Sequence, residues 1–166
     1  MDIRDILRTT MEQSLVMLGE FVDDRNTAFF NALSDGQQMI ALYKEHLRDL
    51  ERHYLNVVPH QRFCLERYTR RMFRYSLRNR EILQQWSEDL DFLRHLLANS
   101  EDASEEELAQ LCQGICTYGT TMRRQNRMES VPILRRIFDL TIHVMRHTLD
   151  LENEHLAAAQ AAQQQA

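Results

Sequence analysis

For about forty residues after Pro59, as far as Asn99, the chain contains neither a glycine nor a second proline. No other feature restricts the fold as strongly. Glycine and proline open turns and end helices. A stretch that lacks both and repeats apolar residues every three to four positions is an amphipathic helix. Leu65, Tyr68, Met72, Leu83, Trp86 and Leu90 make that repeat, with Asn79 breaking it. A straight helix of this length reaches ~60 Å at 1.5 Å per residue, well beyond the diameter of a compact domain of 166 residues. The expected fold is all-α: an elongated antiparallel helical bundle with one long central helix, either kinked or sharing its length with a partner.

Only 4 glycines and 2 prolines occur in the whole chain, so the remaining punctuation is quickly placed. Before Pro59, Ile3, Ile6, Leu7, Met11, Leu18, Phe21, Val22, Phe29 and Leu33 form a first helical stripe. Ser34-Asp35-Gly36-Gln37 has capping-box spacing, in which Ser34 accepts from the backbone N–H of Gln37. It predicts a second helix from about residue 35, a bent continuous helix being the alternative. Met39, Ile40, Tyr43, Leu47, Leu50, Tyr54 and Val57 line that helix, with His46 and His53 at the edge. Val58-Pro59 stops it, because the residue before proline avoids the α region, and Pro59 suits the first turn of the long helix.

After Asn99 to Ala103, a loop, Ser104-Glu105-Glu106-Glu107 is a second capping box, its acids complementing the helix dipole. Leu108, Leu111, Cys112, Ile115, Gly119 and Met122 share one face of the helix that follows. Gly114 and Gly119 weaken this helix, yet glycine on a packed face lets a neighbour approach closely. A turn is expected after Arg123 to Arg127, and Ser130 and Pro132 open a last helix with Leu134, Ile137, Phe138, Val144, Met145 and Leu149 on its stripe. No strand pattern and no internal repeat competes with this reading. Four to five helices, with boundaries near 34, 58, 100 and 130, make one domain over 1–155. The segment 156–166, LAAAQAAQQQA, has little to bury and is expected to fray.

Charge is distributed unevenly. From Pro59 to Arg80 seven arginines face one acid, Glu66, a local net of +6 in a chain whose total is −5. At 100° per residue, Arg67, Arg70, Arg71, Arg74 and Arg78 gather into one basic ridge, opposite the apolar stripe. Basic residues are 19 arginines and a single lysine, Lys44, so the ridge presents planar, permanently charged forks suited to carboxylate or phosphate. Acids of neighbouring helices, such as Glu101, Asp102, Glu105, Glu106 and Glu107, are the competing explanation, since they would simply neutralise it. Phe63, Tyr68, Phe73 and Tyr75 interleave with the arginines, as bases stacked on aromatics would require. Against nucleic acid stand the acidic total and a sequence pI near 5.8.

Other chemistry has thinner support. His143 and His147 stand one turn apart with Asp150 and Glu154 beyond, a spacing able to offer two imidazoles and a carboxylate to one ion. Glu152 and His155 make a single Glu-x-x-His, without the second pair and inward glutamates that a di-iron bundle needs. Neither carries a metal assignment, and no cofactor is expected. Cys64 lies among the arginines without a base supplied by any motif, and Cys112 and Cys116 lie one turn apart on an apolar face. No nucleophile elbow, phosphate loop or zincin motif occurs. There is no secretory h-region and no run of 18 apolar residues. The expectation is a cytoplasmic, non-enzymatic protein–protein interaction module of adaptor, chaperone or regulator type. It would dock an acidic or amphipathic partner segment on Arg67, Arg70, Arg71, Arg74 and Arg78, with nucleic-acid phosphate as the alternative ligand. A homodimer is also expected, because the long helix and Trp86, Phe92 and Phe73 exceed what one protomer would cover.

Overall fold

Helix α1 runs unbroken from Ile3 to His53. The computed structural model describes residues 2–53 and 59–165, and among them it is helical nearly throughout, with no strand. Residue 34 is therefore not a boundary. Ser34 caps nothing; its hydroxyl accepts a bond from Gln38 Nε2 at 3.3 Å. Gly36, which lies within the expected capping box, is buried in mid-helix. A Cβ placed there would stand 2.9 Å from Thr141 Oγ1 and would collide with the end of Met72. The glycine serves close helix packing rather than a turn, and packing overrides the local capping signal.

Tyr54, Val57 and the stop at Val58 lie outside the described residues. Helix α2 opens on Pro59, as expected, and continues to Ala98. The next loop closes with Ser100 and Ala103 N–H groups bonded to Leu97 and Ser100 carbonyls. Ser104 then caps helix α3, Glu105–Gln125, by accepting from the N–H of Glu107 at 3.1 Å. The turn expected near residue 130 is absent. Asn126–Ser130 forms a single π turn, in which Val131 N–H reaches back to the Asn126 carbonyl, and helix α4, Val131–Gln164, follows at once. Pro132 has no N–H to bond back into the preceding turn, and the π turn stands immediately before it, where a continuous helix accommodates such a break. The described residues thus contain three uninterrupted helical stretches, fewer than the four or five expected.

Two compact units share these helices. The first comprises Met1–Phe29 and Arg78–Pro132. Its core holds Met11, Leu15, Leu18, Val22 and Phe29 of α1, Ile82, Leu83, Trp86, Leu90 and Leu97 of α2, and Leu108, Ile115 and Met122 of α3. The Phe21 and Trp86 rings lie 6.0 Å apart. Gly119 admits Leu18 so closely that a Cβ would sit 3.3 Å from its methyl, whereas Gly114 faces open space. The second unit comprises Phe30–Leu77 and Ile133–Ala166. Its core holds Leu33, Tyr43, Leu47 and Leu50 of α1, Tyr68 and Met72 of α2, and Ile133, Ile137, Leu140, Val144 and Leu151 of α4. Trp86, expected to need a partner's cover, is buried within the first unit, while Phe73 and Phe92 are exposed.

Candidate functional site

The arginine ridge divides into a free part and an engaged part. In the second unit, Arg67 and Arg74 are exposed and Arg71 half-buried on successive turns of α2. Among the described residues no carboxylate lies within ion-pair distance of any of the three. Arg70 reaches only Glu66 on its own helix, at 3.7 Å, and Arg62 holds Glu51 at 2.5 Å. That contact keeps the Glu51 carboxyl below the usual carboxylate range, first through the hydrogen bond from Arg62 and then through its charge. Arg78 belongs to the first unit and is spoken for: it pairs with Glu129 at 3.0 Å and Glu81 at 3.5 Å. None of Glu101, Asp102, Glu105, Glu106 and Glu107 takes part in an ion pair among the described residues.

An apolar flank accompanies the free arginines. Phe63, Phe73 and Leu77 are exposed, Phe73 to 65%. By helical angle Phe63 falls between Arg67 and Arg70, with Leu77 just beyond Arg70. Tyr68, by contrast, is buried and unavailable for stacking. Pro59–Arg80 therefore offers cations and hydrophobes side by side on an open strip.

Beneath that strip the second unit holds an aromatic and imidazole cluster that residue spacing did not reveal. His147 is half-buried. Its Nδ1 is hydrogen-bonded to the Tyr68 hydroxyl at 2.8 Å, and its ring lies 4.8 Å from that of Tyr43. His143 stands against the Tyr68 ring at 5.5 Å. Burial lowers the His147 pKa, with His143 and His60 adding to the shift and Asp150 and Glu154 opposing it. Burial, then the neighbouring Cys64, pushes the Tyr68 phenol up to about 12. A neutral imidazole accepting from an un-ionised phenol is the consistent state of this pair. His155 of the Glu-x-x-His spacing lies 6.1 Å from the His53 ring. Among the described residues no three His, Cys, Asp or Glu side chains come together as a metal site would need. Cys64 Sγ has His60 Nε2 at 3.6 Å, a neighbour one turn away that no motif announced.

In the first unit the π turn assembles a polar line. Trp86 Nε1 donates to Gln125 Oε1 at 2.8 Å, Gln125 Nε2 donates to Glu129 Oε2 at 2.8 Å, and Arg78 closes on the other Glu129 oxygen. The Gln125 bond and then Arg78 lower the Glu129 pKa. Asn79 is completely buried, its Oδ1 accepting from the Ser130 hydroxyl at 2.8 Å. The residue that interrupts the apolar stripe is thus explained by Ser130, 51 positions away. This line holds the fold together and presents no open chemistry.

Comparison of the chain with protein-family models, curated proteins and solved structures gave no match in any of the three. Among the described residues no helix is long and apolar enough to cross a membrane.

Proposed function

We propose that the chain is a non-enzymatic interaction module whose working surface is the open strip of α2, with Arg67, Arg70, Arg71 and Arg74 binding an acidic, amphipathic segment of another protein. The observation that supports this is the coincidence of Arg67, Arg71 and Arg74, which meet no carboxylate among the described residues, with exposed Phe63 and Leu77 on one strip. Arginine and aromatic residues together are the composition of protein-docking surfaces. A duplex phosphate backbone would use the guanidinium groups and leave the apolar flank idle, and Tyr68, one of the aromatics that base stacking would draw on, is buried. Arg78 is assigned a supporting role, since Glu129 and Glu81 already occupy it. The free thiols of Cys64, Cys112 and Cys116 fit a reducing compartment such as the cytoplasm.

The test is a pull-down with the full chain as bait, at low and high salt, with and without nuclease. Wild type should retain a nuclease-resistant protein partner at high salt, because an apolar contact persists when charge is screened. R67E/R71E/R74E should lose that partner with its helical circular dichroism unchanged. Capture abolished by nuclease, falling steeply with salt, would assign the strip to nucleic acid instead. Capture indifferent to the three reversals would remove the strip from the function altogether.

A further inference from the structure

Helix α4 carries two apolar stripes, and the second unit covers only one. Ile133, Ile137, Leu140, Val144, Thr148 and Leu151 are buried. Next to them Phe138, Ile142, Met145, Leu149 and Leu156 remain 58, 38, 43, 52 and 55% exposed. The sequence reading merged the two, placing Phe138, Met145 and Leu149 on the core stripe with Ile137 and Val144. Adjacent residues point about 100° apart, so the apolar arc is wider than one packing face, and the outer part is still in water.

The outer stripe has a register of its own. From Phe138 its members follow at four, three and four residues, the alternation of a coiled-coil seam. Arg135 continues the seam three residues before Phe138, and Glu152 three residues after Leu149; both are exposed. Neither is in an ion pair among the described residues. The seam is therefore cationic at one end, apolar for four positions, and anionic at the other.

That order is self-complementary only when reversed. We propose that two copies of the chain associate through this α4 seam, antiparallel, about a two-fold axis midway between Ile142 and Met145. Ile142 then meets Met145 of the second copy, Phe138 meets Leu149, and Arg135 meets Glu152, each pair occurring twice, as a two-fold interface requires. Asp139 and Arg146, exposed on the flank and one heptad apart, also face each other across the axis. A parallel pair would set Arg135 against Arg135 and Glu152 against Glu152. A large half-exposed side chain offers on the order of 100 Å², so the four paired apolar residues bury about 400 Å² per copy, and the flanking Arg135, Asp139, Arg146 and Glu152 bring the pair to about 1,000 Å², the size at which specific association begins. The seam and the α2 arginine strip use different residues, so either can fail without the other.

Sedimentation equilibrium and light scattering of the full chain test the proposal. Wild type should run at twice its 19.8 kDa mass at micromolar concentration. I142D/M145D should run as a monomer with unchanged helicity, since both side chains already face water. Charge exchange tests the orientation. R135E alone and E152R alone should each weaken the dimer at least about tenfold, and R135E/E152R together should restore it. A wild-type monomer throughout the micromolar range overturns the proposal, as does a dimer indifferent to I142D/M145D. A dimer in which R135E/E152R is no tighter than either single variant overturns the antiparallel pairing.

Discussion

The third helical segment is handled differently in the two units. In the first, α3 contributes Leu108, Ile115 and Met122 to the core, and none of its described residues is an exposed large hydrophobe. In the second, α4 buries a full stripe and leaves five large apolar side chains in water. Arginines follow the same division: Arg78 is drawn to Glu129 in the first unit, while Arg67, Arg71 and Arg74 meet no carboxylate among the described residues of the second. The third helical segment of the first unit thus engages its neighbours, through Glu129 to Arg78 and Ser130 to Asn79, whereas in the second unit an apolar stripe of α4 and the Arg67 and Arg74 side chains of α2 stay in water. Whether a charged residue is structural or available depends on which side chains the neighbouring helix brings, not on the helix that carries it.

The largest test of this contrast lies at Asn79. If the first unit depends on internal satisfaction, Asn79→Leu should destabilise the chain by about 1–3 kcal/mol, because it strands the buried Ser130 hydroxyl. Adding Ser130→Ala removes the stranded group and should recover most of that loss, as urea denaturation midpoints would show. Equal midpoints for the single and double variants would mean the pair is not coupled.

Next come the arginines. Arg78→Ala should cost up to about 1 kcal/mol, through Glu129 and its bond to Gln125, while Arg67→Ala should stay within about 0.5 kcal/mol of wild type. Thermal melts of the two variants compare them directly, and a larger loss at Arg67 would reverse the assignment of roles.

The smallest effect expected is on acid stability, through His147. Its folded-state pKa is lowered, so between that value and the ordinary 6.5 or so the unfolded chain binds a proton that the folded chain does not. Stability is then full above about pH 6.5 and declines as pH falls through this window. Tyr43, Tyr68 and His143 pack around the ring, while the Asp150 and Glu154 charges moderate the shift. His147→Gln keeps an acceptor for Tyr68 but cannot titrate, and should flatten the acid limb of the stability profile relative to wild type. An identical acid limb in both would exclude His147 as its source.

Much of this architecture could be read before any coordinates. Ser104 caps where its box predicted, Pro59 opens α2, and Tyr68, Met72, Leu83, Trp86 and Leu90 are buried as the period required. What failed has a common cause. Ser34-Asp35-Gly36-Gln37 and Arg123 to Pro132 carry local turn signals, yet both stay helical because their value lies in distant contacts. Gly36 clears room for Met72 and Thr141, and Ser130 answers Asn79. A local rule has no access to those partners. The α4 seam was legible in principle, since Phe138, Ile142, Met145 and Leu149 follow a heptad, but it merged with the core stripe one residue away. The free and engaged arginines were not separable at all, because Glu129 meets Arg78 only through the fold.

Both units are discontinuous in the chain, and this sets a timetable for biosynthesis. When the ribosome has released residues 1–98, the first unit has two of its three helices and the second lacks its last entirely. The first can close only after α3 emerges, and the second only when Leu151 of α4 is available to its core. At about 5–20 residues per second, a nascent chain spends several seconds with the inner faces of α1 and α2 awaiting their third helix. A ribosome stalled short of Ile133 would leave Tyr43, Tyr68 and Met72 without the α4 side chains that complete their core, a substrate for chaperones and proteases.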